Sequence, residues 1–175
     1  MNITVFGSAS PRPESPAYDE ALRLGLLLGQ AGHTVLTGGY MGTMEAVSRG
    51  AAQAGAKVIG VTCAEIEQWR PTQANPWVNE EWRMPTLTDR LDQLITQCDA
   101  ALALPGGAGT LAEIALMWNR LIIGSLPPRP LILVGPGWHA VFEALYAQQN
   151  GSLGEREKQW IRFADTVEQA AAFLA

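Results

Sequence analysis

Short apolar runs alternate with helix-length amphipathic segments along almost the whole chain, and that order constrains the fold more than any other feature. Ile3-Thr4-Val5-Phe6 reads as a first strand, followed by the small-residue turn Gly7-Ser8-Ala9-Ser10-Pro11. Ser15-Pro16 has the form of an N-cap with proline at the first helical position, and the helix it opens runs to Gly32, a fitting C-terminal residue. Thr34 to Thr37 predicts a second strand ending in Gly38-Gly39, residues 42–54 a helix, and residues 57–61 a third strand. Thr86 or Thr88 caps a helix running to Gln97, and Ala100 to Leu104 is the fourth strand. A long apolar helix then reaches Ile123, residues 130–134 form a fifth strand, 138–148 a helix, 160–163 a sixth strand, and 166–174 a last helix. Strands that alternate with helices imply an α/β fold, a doubly wound parallel sheet with helices on both faces. The 175 residues suit a single domain spanning 1–175.

Residues 62–85 interrupt the rhythm. They carry Pro71, Pro76 and Pro85 together with Trp69, Trp77 and Trp82. A stretch this long without clear periodicity is uncommon in a compact domain unless it serves a function. The tryptophans suit stacking on a base or a lid, and equally packing onto the body, with packing favoured for at least two of the three.

In a doubly wound sheet the first and fourth of these strands lie side by side where the strand order reverses, and ligands bind beyond their carboxyl ends. Here those strands end in Gly7-Ser8 and in Pro105-Gly106-Gly107-Ala108-Gly109-Thr110, and the second strand adds Gly38-Gly39 on the same edge. Glycines let the backbone approach an anion, and the free N–H groups of a helix start point at it. Gly106, Gly107, Gly109 and Thr110 are therefore expected to hold a phosphate. No Gly-Lys-Ser/Thr and no GxGxxG after the first strand occurs, which removes support for triphosphate hydrolysis and for hydride transfer to a dinucleotide.

Glu113 has two readings. Thr110-Leu111-Ala112-Glu113 fits a capping box. At 100° per residue, Leu111, Ile114, Ala115, Trp118 and Ile122 form the expected sheet-facing stripe, which puts Glu113 and Arg120 on the other side. Leu116, Met117 and Ile123 flank that side, so Glu113 is expected in a partly enclosed site, and those apolar neighbours call for a two-fold partner. Arg90, one turn into its helix, reads on chemistry alone as a surface residue paired with Asp89, Asp92 or Glu81. Glu45 suits the positive end of its helix dipole and borders the crevice.

Composition excludes several classes. The net charge of −5 and the lack of a basic run argue against binding a nucleic acid polymer. Cys63 and Cys98 show no metal-binding spacing, so no metal is expected and the thiols read as buried and reduced, as in a cytoplasmic protein. The first residues lack the basic and apolar regions of a signal peptide, and no long uncharged apolar run suggests a membrane span.

Pro105-Gly106-Gly107-Ala108-Gly109-Thr110-Leu111-Ala112-Glu113 matches the PGGxGTxxE motif of the Lonely Guy family, Gly38-Gly39-Tyr40-Met41-Gly42-Thr43-Met44 resembles its second glycine motif, and Gly7-Ser8 is also similar. The spacing from Arg90 to Asp99 to Pro105 resembles that family's arginine helix and following strand. The resemblance implies a Rossmann-like homodimer, without a cofactor, that hydrolyses a nucleoside 5′-monophosphate such as AMP or a cytokinin ribotide to free base and ribose 5-phosphate. It implies Arg90 and Glu113 as the catalytic pair. It adds Gly7, Ser8, Gly38, Gly39 and Gly42 to the nucleotide-binding set, with Glu45 and Met84 as further candidates. Arg90 is followed by Leu91 where the family usually has Lys, and Met44 by Glu45 where it usually has Gly. The latter is closer to a short branch that also resembles molybdenum-cofactor carriers, so a carrier or sensor of a phosphorylated ligand is the second reading. A lysine decarboxylase, the name often transferred to the family, is disfavoured because Lys57 and Lys158 are the only lysines and both lie outside the motifs.

Overall fold

The computed structural model describes residues 1–149 and 151–174. Seven strands, β1 (Asn2–Phe6), β2 (Thr34–Thr37), β3 (Val58–Cys63), β4 (Glu80–Met84), β5 (Ala100–Ala103), β6 (Leu131–Val134) and β7 (Ile161–Ala164), form one sheet in the order β4-β3-β2-β1-β5-β6-β7. Every neighbouring pair is parallel. The helices are α1 (Pro16–Gln30), α2 (Thr43–Gln53), α3 (Ala64–Trp69), α4 (Leu87–Thr96), α5 (Ala108–Ile122), α6 (Pro136–Gln148), α7 (Glu155–Lys158) and α8 (Val167–Ala172).

Buried residues divide into two apolar clusters. One joins α1, α2 and α8 to the sheet through residues such as Leu24, Val47 and Ala170; the other joins α4, α5 and α6 through Leu94, Ile114 and Phe142. The strand cores Val58–Cys63, Ala100–Ala103 and Leu131–Val134 are buried throughout, as parallel strands covered on both faces must be. β1 pairs with both β2 and β5, so the sheet reverses its winding between β1 and β5 as the sequence predicts.

The irregular stretch 62–85 differs from expectation. It contains the short helix α3 and a seventh strand, β4, at the sheet edge. Glu80, Glu81 and Arg83 hide β4 in the sequence because they point outward, as charged side chains on an exposed edge do. Trp82 packs on the second cluster, and Trp77 is half-buried beneath the Arg49 guanidinium. The loop between α3 and β4 is pinned by Asn75, whose backbone and side-chain N–H groups donate to the Gly39 carbonyl at 2.8 and 3.0 Å.

α5 is also rotated relative to the stripe expected from sequence. Its buried side carries Thr110, Glu113, Ile114, Met117, Trp118 and Leu121, while Leu111 and Ala115 are exposed. Met117, expected on an outer face, is fully buried in the core. The outer face is nevertheless apolar, formed by Leu111, Ala112, Ala115 and Ile123.

Candidate active site

α4 brings Arg90 inward. Thr86 caps this helix by accepting from the Asp89 N–H at 3.1 Å, and Asp89 in turn accepts from the Thr86 hydroxyl at 2.6 Å. Arg90 therefore starts one turn into a firmly begun helix, on the face packed against β3. Its Nε donates to the Val61 carbonyl at 2.7 Å and its Nη2 to the Gly38 carbonyl at 3.2 Å. The guanidinium carbon lies 5.7 Å from the centre of the Tyr40 ring. Only 6% of Arg90 is exposed, so the surface pairing considered from sequence does not occur. Asp92 instead pairs with Arg120 at 2.6 Å.

Gly38 makes this placement possible. A Cβ there would lie 1.8 Å from Arg90 Nη2 and 2.5 Å from Met44 Sδ. Gly42 turns the chain into α2 with φ of +72°, a conformation L side chains rarely adopt.

Glu113 faces Arg90 from α5. The carboxylate Oε1 is 3.8 Å from Arg90 Nη1, and the residue is 8% exposed. Among the described residues no side chain or backbone N–H hydrogen-bonds this carboxylate. Burial pushes its pKa up from 4.5 to about 7, against the opposing pull of the Arg90 charge. The capping-box reading fails on geometry: Gly107, not Thr110, is the N-cap of α5, which places Thr110 and Glu113 inside the helix.

The two charged residues share a cavity of about 350 Å³. Gly7 and Ser8 after β1, and Gly107, Gly109 and Thr110 at the start of α5, line it together with Arg90 and Glu113. The first internal bond at this end of α5 runs from the Leu111 N–H to the Gly107 carbonyl, at 3.0 Å. The amides of Ala108, Gly109 and Thr110 precede it, in the position an α-helix leaves without internal acceptors. A phosphate at this end meets unsatisfied donors and the positive end of the helix dipole.

The remaining candidates are placed differently. Gly106 underlies Thr110, where a Cβ would lie 2.1 Å from Oγ1. Gly38 and Gly39 stand behind the cavity, one holding Arg90 and the other the Asn75 loop. Glu45 accepts from the Tyr18 hydroxyl at 3.2 Å and, with Gly42, lines a neighbouring cavity. Met84 does not reach the site: it ends β4, pairs with Cys63 and packs on the second core cluster. Ala9, Tyr40, Met44, Ile66, Trp69 and Arg70 complete the wall; of these, sequence reasoning raised only Trp69, as one of three tryptophans suited either to stacking on a base or to packing. Tyr40 and Met44 lie inside the second glycine motif, the one signal that could have found them. Among the described residues no group of three His, Cys, Asp or Glu side chains is placed to hold a metal ion, and no helix is long and apolar enough to cross a membrane.

Residues 44–174 match the family model described as "Possible lysine decarboxylase". The chain is 31% identical over 152 residues to a cytokinin riboside 5′-monophosphate phosphoribohydrolase of Mycobacterium tuberculosis, a match that covers 86% of this chain and 78% of that protein. It is 32% identical over 155 residues to a pyrimidine/purine nucleotide 5′-monophosphate nucleosidase of Escherichia coli, covering 83% of this chain and 34% of that longer protein. In fold it is similar to the molybdenum cofactor binding protein from Rippkaea orientalis, with a TM-score of 0.77 and 23% identity over 99% of this chain and 94% of that one.

Proposed function

The chain belongs to the Lonely Guy family, whose model carries the lysine decarboxylase description, and on that premise we propose that it hydrolyses the N-glycosidic bond of a nucleoside 5′-monophosphate to free base and ribose 5-phosphate. The observation that carries this reading is the buried carboxylate of Glu113, free of hydrogen bonds among the described residues and facing Arg90 in the cavity that the α5 amides enter. The phosphate sits on the Gly106–Thr110 turn, with Gly7 and Ser8 beside it. As the C1′–N bond breaks, its electron pair leaves with the base nitrogen, which takes up the proton that the attacking water releases when its oxygen bonds to C1′. Ionised Glu113 stabilises the positive charge developing on the ribose and orients the water whose oxygen bonds to C1′. Arg90 opposes the desolvation that would otherwise keep Glu113 protonated.

The decarboxylase description finds no support in the site. A pyridoxal enzyme requires a lysine at its centre. Lys57 is paired with Glu80 at 2.6 Å and Lys158 with Glu155 at 3.5 Å, and neither lines the cavity. A carrier that binds a phosphorylated ligand without cleaving it could use the same glycine turn. A carboxylate buried without a hydrogen-bond donor favours turnover, because a carrier gains nothing from holding it there.

The 1–175 chain acts as one domain and pairs about a two-fold axis through the outer apolar face of α5, where Leu111 is 44% and Ile123 66% exposed. Its partner molecule is a small phosphorylated ligand rather than a nucleic acid polymer. Two buried free thiols, Cys63 and Cys98, fit a reducing compartment such as the cytoplasm. The test is incubation with a panel of nucleoside monophosphates followed by chromatography. Free base from at least one member is the expected result, and binding without cleavage across the panel would support the carrier instead.

A further inference from the structure

Ile66, Trp69 and Arg70 stand at i, i+3 and i+4, the spacing that puts side chains on one helix face, and all three line the cavity from α3 and the residue after it. The other side of α3 is tied down by its two carboxylates. Glu65 accepts from the Leu87 N–H at 2.8 Å, and Glu67 pairs with Arg83 at 2.7 Å and accepts from the Tyr40 hydroxyl at 3.3 Å. The Tyr40 oxygen also accepts from the Cys63 N–H at 2.7 Å, at the point where β3 passes into α3. The short helix is thus fixed in orientation although none of its residues is buried.

Trp69 is 79% exposed, whereas Trp118 and Trp138 are buried and Trp77, Trp82 and Trp160 are partly covered. An indole left in water forgoes the large burial gain an aromatic side chain normally makes. This one is held at the lip of the cavity, with the Arg70 guanidinium carbon 5.6 Å from its ring centre.

We infer that Trp69 is the platform on which the nucleobase stacks, and that it gives the site a preference for purine over pyrimidine monophosphates. The inference rests on the nucleotide reading above. α5 leaves the sheet after β5 and α3 after β3, with β2 and β1 between them. Three strand spacings separate the two exits, roughly 14 Å, on the scale of an extended nucleoside monophosphate. A phosphate held at the start of α5, with its ribose beside Glu113, directs the base toward α3. Ile66 on α3 and Met44 beside Arg90 are apolar lining residues that suit the faces of a planar ring, and Arg70 adds a cation at the α3 end. Stacking is tolerant of base identity and grows with ring area, so the larger purines gain more from it.

The test is calorimetric titration with AMP, CMP and ribose 5-phosphate in a Glu113→Gln background, which slows ligand turnover, with and without Trp69→Ala or Trp69→Phe. Trp69→Ala is expected to weaken AMP binding about 10- to 100-fold, to shrink the AMP-to-CMP ratio, and to leave ribose 5-phosphate unchanged. Trp69→Phe restores most of the AMP affinity. Unchanged AMP affinity in Trp69→Ala overturns the inference, and so does an equal loss for ribose 5-phosphate, which marks a structural role. Protein with Glu113 intact that binds AMP but cleaves no monophosphate refutes hydrolysis while the Trp69 comparison still decides stacking. Failure to bind all three ligands overturns both.

Discussion

Arg90 and Glu113, both buried, face each other at 3.8 Å in the wall of one open cavity, close enough to attract and too far apart to hydrogen-bond. Arg90 spends its Nε and Nη2 on the carbonyls of Val61 and Gly38, so its position is set by the backbone and not by the glutamate. Glu113 keeps its oxygens for whatever enters the cavity. A tighter pair would fix the carboxylate as an ion and occupy it. The observed spacing leaves it near neutrality in titration, where small changes in surroundings alter its charge.

The rate should follow that titration. With the Glu113 pKa raised to about 7 by burial, and the ionised form required, kcat/KM for a cleaved monophosphate is expected to rise through neutral pH and level off above it. Arg90→Ala removes the opposing positive charge and should move the rise to higher pH as well as lower the rate. A profile for the unmodified protein that is flat from pH 5.5 to 8.5, pH values on either side of about 7, would show that Glu113 does not control the rate.

Stability should run the other way. The folded-state pKa of Glu113 lies above its unfolded value of 4.5, so the folded protein holds this proton more tightly. That contribution is fully present below 4.5 and is lost as pH rises through about 7. A shift of this size corresponds to roughly 3 kcal/mol. Glu113→Gln, which cannot ionise, should match the unmodified protein in urea denaturation at low pH and exceed it under alkaline conditions, by up to that amount. Equal stability of the two proteins at every pH would contradict the burial account.

Gly38→Ala tests the support of Arg90. The added Cβ would sit 1.8 Å from Nη2, so the guanidinium must leave the Gly38 carbonyl. Activity is expected to fall to the level of Arg90→Ala, with a stability loss of about 1–3 kcal/mol from the overpacked site. Full activity in Gly38→Ala, measured with the melting temperature, would mean that the position of Arg90 is not needed.

Assembly gives an independent check. Light scattering should report twice the chain mass of 18.8 kDa at micromolar concentration. Ile123→Glu, which places a charge on the outer face of α5, should return the mass of one chain without unfolding it. A single-chain mass for the unmodified protein would contradict the dimer.

Much of this was legible in the sequence because it depends on local rules. The cap Ser15, the parallel alternation of strands and the reversal between β1 and β5 were read correctly, and Thr86 was one of the two caps considered for α4. β4 was missed because an edge strand with Glu80, Glu81 and Arg83 outward lacks the apolar run that marks buried strands. The face of α5 was misjudged because Leu111, Ala112, Ala115 and Ile123 are apolar on the outer side as well, so periodicity alone does not choose between two apolar faces. Arg90 could not be placed from chemistry alone. Its burial depends on carbonyls of Val61 and Gly38, 29 and 52 residues away in the chain, which no local pattern reveals. Trp69 looked like its two neighbours in sequence, and only the placement of α3 separates it from them.

In the proposed reaction Glu113 stabilises the transition state for water to cleave the glycosidic bond of a phosphate-anchored nucleotide. The most direct test is adenine release, followed by chromatography, from AMP and from adenosine by the unmodified protein and by Glu113→Gln. The account predicts adenine from AMP and none from adenosine. It also predicts a loss of about two or more orders of magnitude in the Gln variant, in line with roughly 3 kcal/mol of transition-state stabilisation. Equal rates on AMP and adenosine, or full activity in the variant, would contradict it.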